Sequence, residues 1–125
     1  MIHAELELEA QRGDPDIGIV EAGELTICLA PNGDSCLIRL FGALDMGSAP
    51  ALEREVMRAE EDHAGMIILD LSRLDFVDTS GIAVFLHAAR RAREKGSQLR
   101  LLRGPRRIEH VLEIAGLTEH LQFLD

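Results

Sequence analysis

The apolar positions of this chain alternate at first and then recur at helical spacing. Leu25, Ile27 and Leu29 alternate with polar or small residues, and Cys36, Ile38 and Leu40 do so after Pro31-Asn32-Gly33-Asp34. Asn and Gly accept positive φ at little cost, so that tetrapeptide reads as the turn of a β-hairpin over residues 24–41. A turn centred on Asn32-Gly33 pairs Leu29 with Cys36, Ile27 with Ile38 and Leu25 with Leu40, all on one face. Cys28 then falls opposite Leu37 on the other face, which makes a Cys28–Cys36 disulfide geometrically poor. Both thiols read as small apolar residues.

Gly42-Ala43-Leu44-Asp45 leaves the sheet. The stripe Leu52, Val56 and Ala59 predicts a helix over residues 48–63, with Ser48 able to cap it and Pro50 in its first turn. Met66-Ile67-Ile68-Leu69 is a continuous apolar run, as in a strand covered on both faces. Asp70 to Ser80 reads as a connection. It leads into a second helix reaching about Lys95, with Ile82, Phe85, Leu86 and Ala89 inward and Gly96 as its C-terminal cap. Gln98 to Leu102 reads as a strand. A third helix opens at Gly104-Pro105, turns Ile108, Val111, Leu112 and Ala115 inward, and stops at Gly116-Leu117. Leu121 to Leu124 forms a last short strand. The order β-β-α-β-α-β-α-β predicts an α/β fold with a mixed, mostly parallel sheet and right-handed crossovers. Residues 1–23 read as an N-terminal extension to a domain over 24–125. In it Gly13-Asp14-Pro15-Asp16 interrupts regular structure, and Ile17 to Val20 is placed to add an edge strand or drape over the domain.

Composition narrows the function. With 125 residues the chain is one ordinary domain, and at 3% aromatics, with neither Trp nor Tyr, its core rests on Leu, Ile, Val and Ala. The net charge is −9, from 22 acidic against 13 basic residues. That balance repels phosphate backbones and favours a partner with a basic face, so nucleic acid is not an expected ligand. No apolar run approaches the roughly 20 residues of a membrane span, and the acidic start lacks a signal core, so a cytoplasmic location without membrane insertion is expected. His3, His63, His87, His110 and His120 form no pair at metal spacing. No phosphate loop or nucleophile elbow is present either, so neither metal, cofactor nor enzymatic activity is expected. The clusters Arg90-Arg91-Ala92-Arg93 and Arg103 to Arg107 read as solvated basic faces, with contact to an acidic partner region as the alternative.

The informative segment is Asp78-Thr79-Ser80-Gly81, between the buried strand and the second helix. Ser80 falls in the helix's first turn, where unpaired backbone N–H groups and the helix dipole favour an anion such as a phosphoryl group. Gly81 keeps a side chain from crowding that spot. The same residues are also common helix starters, and on residues alone both readings stand.

Leu69-Asp70-Leu71-Ser72, Phe76-Val77-Asp78-Thr79-Ser80-Gly81-Ile82 and the later Gly116-Leu117 resemble the signature of the STAS domain. Gly42-Ala43-Leu44-Asp45 resembles the Gly-x-Leu-Asp after that family's second strand. The resemblance runs from about Glu24 to Asp125 and implies the STAS fold, an N-terminal hairpin on a mixed sheet with three to four helices. It implies a bacterial anti-sigma-factor antagonist, a protein-binding module of transcription regulation. Such a module binds an anti-sigma factor of histidine-kinase-like ATPase fold and is released when that partner phosphorylates a Ser before the Gly. A serine phosphatase then resets the switch. The phosphorylated residue maps onto Ser80, with Thr79 as second choice, and the nearby acidic residues onto Asp45 and Asp78. Asp45, Asp78, Thr79 and Gly81 are expected at the contact surface, joined by Val84, Ala88 and Arg91 as an exposed patch on the second helix. The alternative implied by the family is a non-switching scaffold subunit of a lipid-transport ATPase or a stress-sensing complex.

Overall fold

The computed structural model describes residues 17–63 and 65–124. Of the extension expected over residues 1–23, residues 1–16 lie outside the described part, as does His3. The elements run β1 (Gly18–Ala22), β2 (Leu25–Asn32), β3 (Ser35–Leu44), α1 (Ala49–Asp62), β4 (Met66–Val77), α2 (Thr79–Lys95), β5 (Gln98–Leu102), α3 (Arg106–Ile114) and β6 (Phe123–Leu124). The strands form one sheet in the order β1-β2-β3-β4-β5-β6. The first three are antiparallel, and β3, β4, β5 and β6 are parallel. The expected mixed α/β architecture is therefore present, with β1 added as an edge strand.

All three helices contribute to one large apolar cluster with one face of the sheet: Leu25, Ile27, Ile38, Leu40, Ile67, Leu69, Leu99 and Leu101 face them. Among the described residues the other face carries only the small cluster of Cys28 and Phe41 with Ile17 and Ile19. The run Met66 to Leu69 is thus covered by helices on one side only, through Ile67 and Leu69, while Met66 and Ile68 stay half-buried. Cys28 and Cys36 lie in these two separate clusters and form no disulfide with each other. Burial pushes the pKa of both upward. Among the described residues no helix is long and apolar enough to cross a membrane.

The hairpin differs from expectation in register. Asn32 pairs with Ser35, so Gly33 and Asp34 form the turn, and Leu29 faces Ile38, Ile27 faces Leu40 and Cys28 faces Arg39. Gly33 supplies a φ of 60°. The Asp34 carbonyl accepts N–H bonds from Gly65 and Met66 at 3.0 and 3.3 Å, which anchors the turn to the start of β4. Every residue keeps its predicted face, but the pairing is displaced by two.

The segment expected to be a connection after Leu69 is mostly strand. β4 runs on to Val77 beside β3, with two register shifts at which β4 holds one more residue than its neighbour. Leu71, Leu74 and Val77 are buried at every third position. Asp70 supports the first irregularity by accepting the Ser72 N–H at 2.9 Å and pairing with Arg39 at 3.4 Å. Beyond the end of β5, Arg107 of α3 donates to the Asp75 carbonyl and carboxylate, each at 3.0 Å.

Gly42 closes the hairpin. Its φ is 100°, and a Cβ there would collide with the Glu24 carbonyl. Replacing Gly42 by Ala should destabilise the fold by about 2 kcal/mol or more. A urea-denaturation midpoint indistinguishable from that of the unmodified protein would contradict this reading.

Candidate functional site

The two motifs meet because β3 and β4 end side by side. Ala43 pairs with Phe76 and Leu44 with Val77, so Asp45 and Asp78 each stand one residue past a strand end on the same rim. The Asp78 N–H donates to the Leu44 carbonyl at 3.2 Å, which ties the loop after β4 to the end of β3.

The Asp45 loop is a closed turn. Asp45 Oδ1 accepts the Gly47 N–H at 2.9 Å, and the Asp45 carbonyl accepts the Ser48 and Ala49 N–H groups at 3.1 and 2.8 Å. Ser48 occupies the expected N-cap position of α1, yet its hydroxyl does not cap the helix. It points back into the loop, accepting the Asp45 N–H and donating to the Ala43 carbonyl, both at 3.0 Å. Being 0% exposed, it acts as an internal strut. The loop leaves Met46 outermost, 77% exposed beside Asp45. Sequence reasoning passed over Met46. Its one signal was position, since a methionine between Asp45 and Gly47 in so short a turn has no route to the core.

Asp78 is the N-cap of α2. Its Oδ1 accepts the N–H groups of Ser80 and Gly81 at 2.9 and 3.2 Å. This corrects the expectation that those donors stand free for an anion, because the Asp78 carboxylate already occupies them. Thr79 is exposed and Ser80 half-buried. The Ser80 hydroxyl has no hydrogen-bond partner among the described residues.

Gly81 has a different purpose from the one expected. It is buried, and a Cβ on it would lie 2.6 Å from Leu44 Cγ and 2.8 Å from Val77 Cγ2. It is bare so that the first turn of α2 can sit directly on the ends of β3 and β4.

The exposed patch expected from Val84, Ala88 and Arg91 does not exist. Val84 is 3% and Ala88 1% exposed, both within the main core. Helix α2 is covered on two sides, by the sheet and by α1, and the stripe through 84, 88 and 91 turns toward α1. Arg91 bridges two carboxylates of α1, with Nε 2.8 Å from Glu60 and NH1 2.8 Å from Glu53. Burial works against its charge, but the two carboxylates more than compensate and hold its pKa above the ordinary arginine value. His87 adds a 3.3 Å contact to the same Glu53. One of the basic residues read as solvated is therefore a clasp between helices. The rim thus brings together Asp45, Asp78, Thr79, Ser80 and Gly81, and it excludes Val84, Ala88 and Arg91. Among the described residues no group of three or more metal-ligating side chains gathers there or elsewhere.

Residues 29–124 match the STAS domain family. BtrV of Bordetella bronchiseptica, which carries the name of an anti-sigma factor antagonist, is 30% identical over 77 residues, 62% of this chain and 66% of BtrV. The fold is shared with an anti-sigma factor antagonist from Mycobacterium paratuberculosis, at TM-score 0.71 and 17% identity over 79% of this chain and 84% of that one. It is also shared with the Bacillus antagonist SpoIIAA in its unphosphorylated form, at TM-score 0.64 and 22% identity over 87% of this chain and 88% of that one. The phosphorylated form of SpoIIAA aligns at TM-score 0.58.

Removing the Asp78 cap should cost about 1 kcal/mol of stability in Asp78→Ala, within a range of about 0.5–2 for lost N-caps. Gly81→Ala should cost more, because Leu44 and Val77 must move apart. Equilibrium unfolding in urea measures both. A Gly81→Ala protein as stable as the parent would refute the packing role.

Proposed function

The chain belongs to the STAS domain family, and on that premise we propose that it is an anti-sigma-factor antagonist, a non-enzymatic module that phosphorylation at Ser80 releases from its partner. The partner is an anti-sigma factor with a kinase-type ATPase fold, in the bacterial cytoplasm, and a serine phosphatase restores the unmodified state. The contact surface is the rim at the ends of β3 and β4: Asp45 and Met46 from one loop, and Asp78, Thr79 and Ser80 from the start of α2.

One observation carries this reading. The Ser80 hydroxyl is uncommitted at the rim, beside a carboxylate that has taken the nearby helix N–H groups. The names of the relatives, and the existence of SpoIIAA in phosphorylated and unphosphorylated forms, support the same assignment. The physics of release follows from that arrangement. A phosphoryl group adds about 1.5–2 negative charges. The Ser80 and Gly81 N–H groups that might have absorbed the charge already bind Asp78. Water solvates the dianion in the free protein, whereas docking would strip that water away and leave the phosphate beside a carboxylate. A differential cost of about 3–4 kcal/mol lowers affinity roughly 10²- to 10³-fold, enough to empty a sub-micromolar complex. Met46 supplies the apolar contact that acidic residues cannot, since its flexible thioether adapts to a partner surface.

Incubation with the cognate kinase-type anti-sigma factor and ATP should label Ser80, and Ser80→Ala should abolish the label. Ser80→Asp should weaken the complex. So should Met46→Glu, by about tenfold or more, with folding unchanged because Met46 is 77% exposed. Label that persists in Ser80→Ala would transfer the role to Thr79. A complex indifferent to Ser80→Asp and to phosphorylation would point instead to a constitutive scaffold.

A further inference from the structure

At the opposite end of α1 from the Asp45 loop, a groove of about 300 Å3 opens between that helix and the β1–β2 pair. Its walls are mainly apolar, formed by Val20, Leu29, Pro31, Cys36 and Ala59. Glu55 stands among them. It lies on the inward side of α1 between Leu52 and Ala59, and it is 7% exposed. Its partner is Arg58, whose NH1 lies 3.3 and 3.5 Å from the two carboxylate oxygens and whose side chain is 67% exposed. A carboxylate is unfavourable in such a place unless strong donors surround it. Among the described residues the donor to it is Arg58, at long range and largely in water. Glu55 shares the buried side of α1 with Leu52, Val56 and Ala59, where an apolar side chain would pack with no charge to desolvate.

We propose that this groove is a ligand site for a short aliphatic chain ending in an ammonium group, the form shared by a free alkylamine and a lysine side chain. The alkyl part lies along Val20, Leu29 and Ala59, and the ammonium donates to Glu55. Asp62 lines the same groove and adds negative charge, and the exposed Arg58 swings away into solvent. The volume is at the small end of the range for ligand pockets, which suits a chain of this kind. The site is separate from the rim around Ser80, and the inference does not depend on the function proposed above.

Amide NMR titrations of the full chain distinguish the outcomes, with four probes: hexylammonium, Nα-acetyl-lysine N-methylamide, hexan-1-ol and hexanoate. At least one ammonium probe should shift the amides of Val20, Leu29 and Ala59, more tightly than hexan-1-ol, while hexanoate leaves them in place. The tighter of the two ammonium probes identifies the source as a free amine or a peptide lysine. Glu55→Gln should weaken the ammonium probe about tenfold, leave hexan-1-ol unchanged, and unfold at the same or a higher temperature. Three results would overturn the proposal: no shift with either ammonium probe, hexanoate binding as well as hexylammonium, or Glu55→Gln binding as tightly as the parent. The ranking of probes on the unmodified protein decides the matter even if the variant folds poorly.

Discussion

Helix α2 begins where two strands end, and it comes close enough only because Gly81 has no side chain. Its bare Cα rests on Leu44 and Val77, the last residues of β3 and β4. The Asp78 N–H reaches the Leu44 carbonyl across the same junction. That contact places Ser80 near the Asp45 loop. The parallel pairing of β3 and β4 brings the two motifs, more than thirty residues apart, to one rim, and this contact seats α2 upon it. The loop is in turn held by the buried Ser48 hydroxyl, and α2 is clasped to α1 by Arg91 between Glu53 and Glu60. The rim is therefore built on constrained backbone, as the proposed contact surface requires.

Asp78 gives that rim its electrostatic character. A helix start usually presents donors to whatever anion approaches. Here the cap residue is itself an anion and occupies two of them. The arrangement stabilises the unmodified protein and leaves a newly added negative charge without local compensation. In the proposed switch, capping and release thus draw on the same pair of N–H groups.

Much of the fold could be read from periodicity, and the departures have definite causes. Sheet alternation repeats every two residues, so moving the hairpin turn from Asn32-Gly33 to Gly33-Asp34 shifts every pair by two and leaves every face as it was. No pattern of apolar residues can detect such a shift; the anchoring of Asp34 to Gly65 and Met66 is a tertiary fact. The second half of β4 was illegible for the opposite reason. Its extra residues stretch the burial of Leu71, Leu74 and Val77 to every third position, which resembles neither strand nor helix. Asp45, Asp78 and Ser80 stand out in the sequence through their motifs, and the strand pairing sets those motifs on one rim. Val84 and Ala88 were misplaced because a helix wedged between a sheet and a neighbour buries a wider arc than one stripe reveals. Glu55 carried no sequence signal, since an acidic residue in an acidic chain is unremarkable until its burial is known.

The far half of β4 projects past β5, and a projecting strand offers unpaired amides and carbonyls to any extended peptide that comes near. Arg107 sits across that opening and takes up the Asp75 carbonyl. The helix that follows β5 therefore occupies part of the projecting edge, at the margin beside the proposed contact surface. One fewer of its backbone groups is then open to pairing with a loose chain segment.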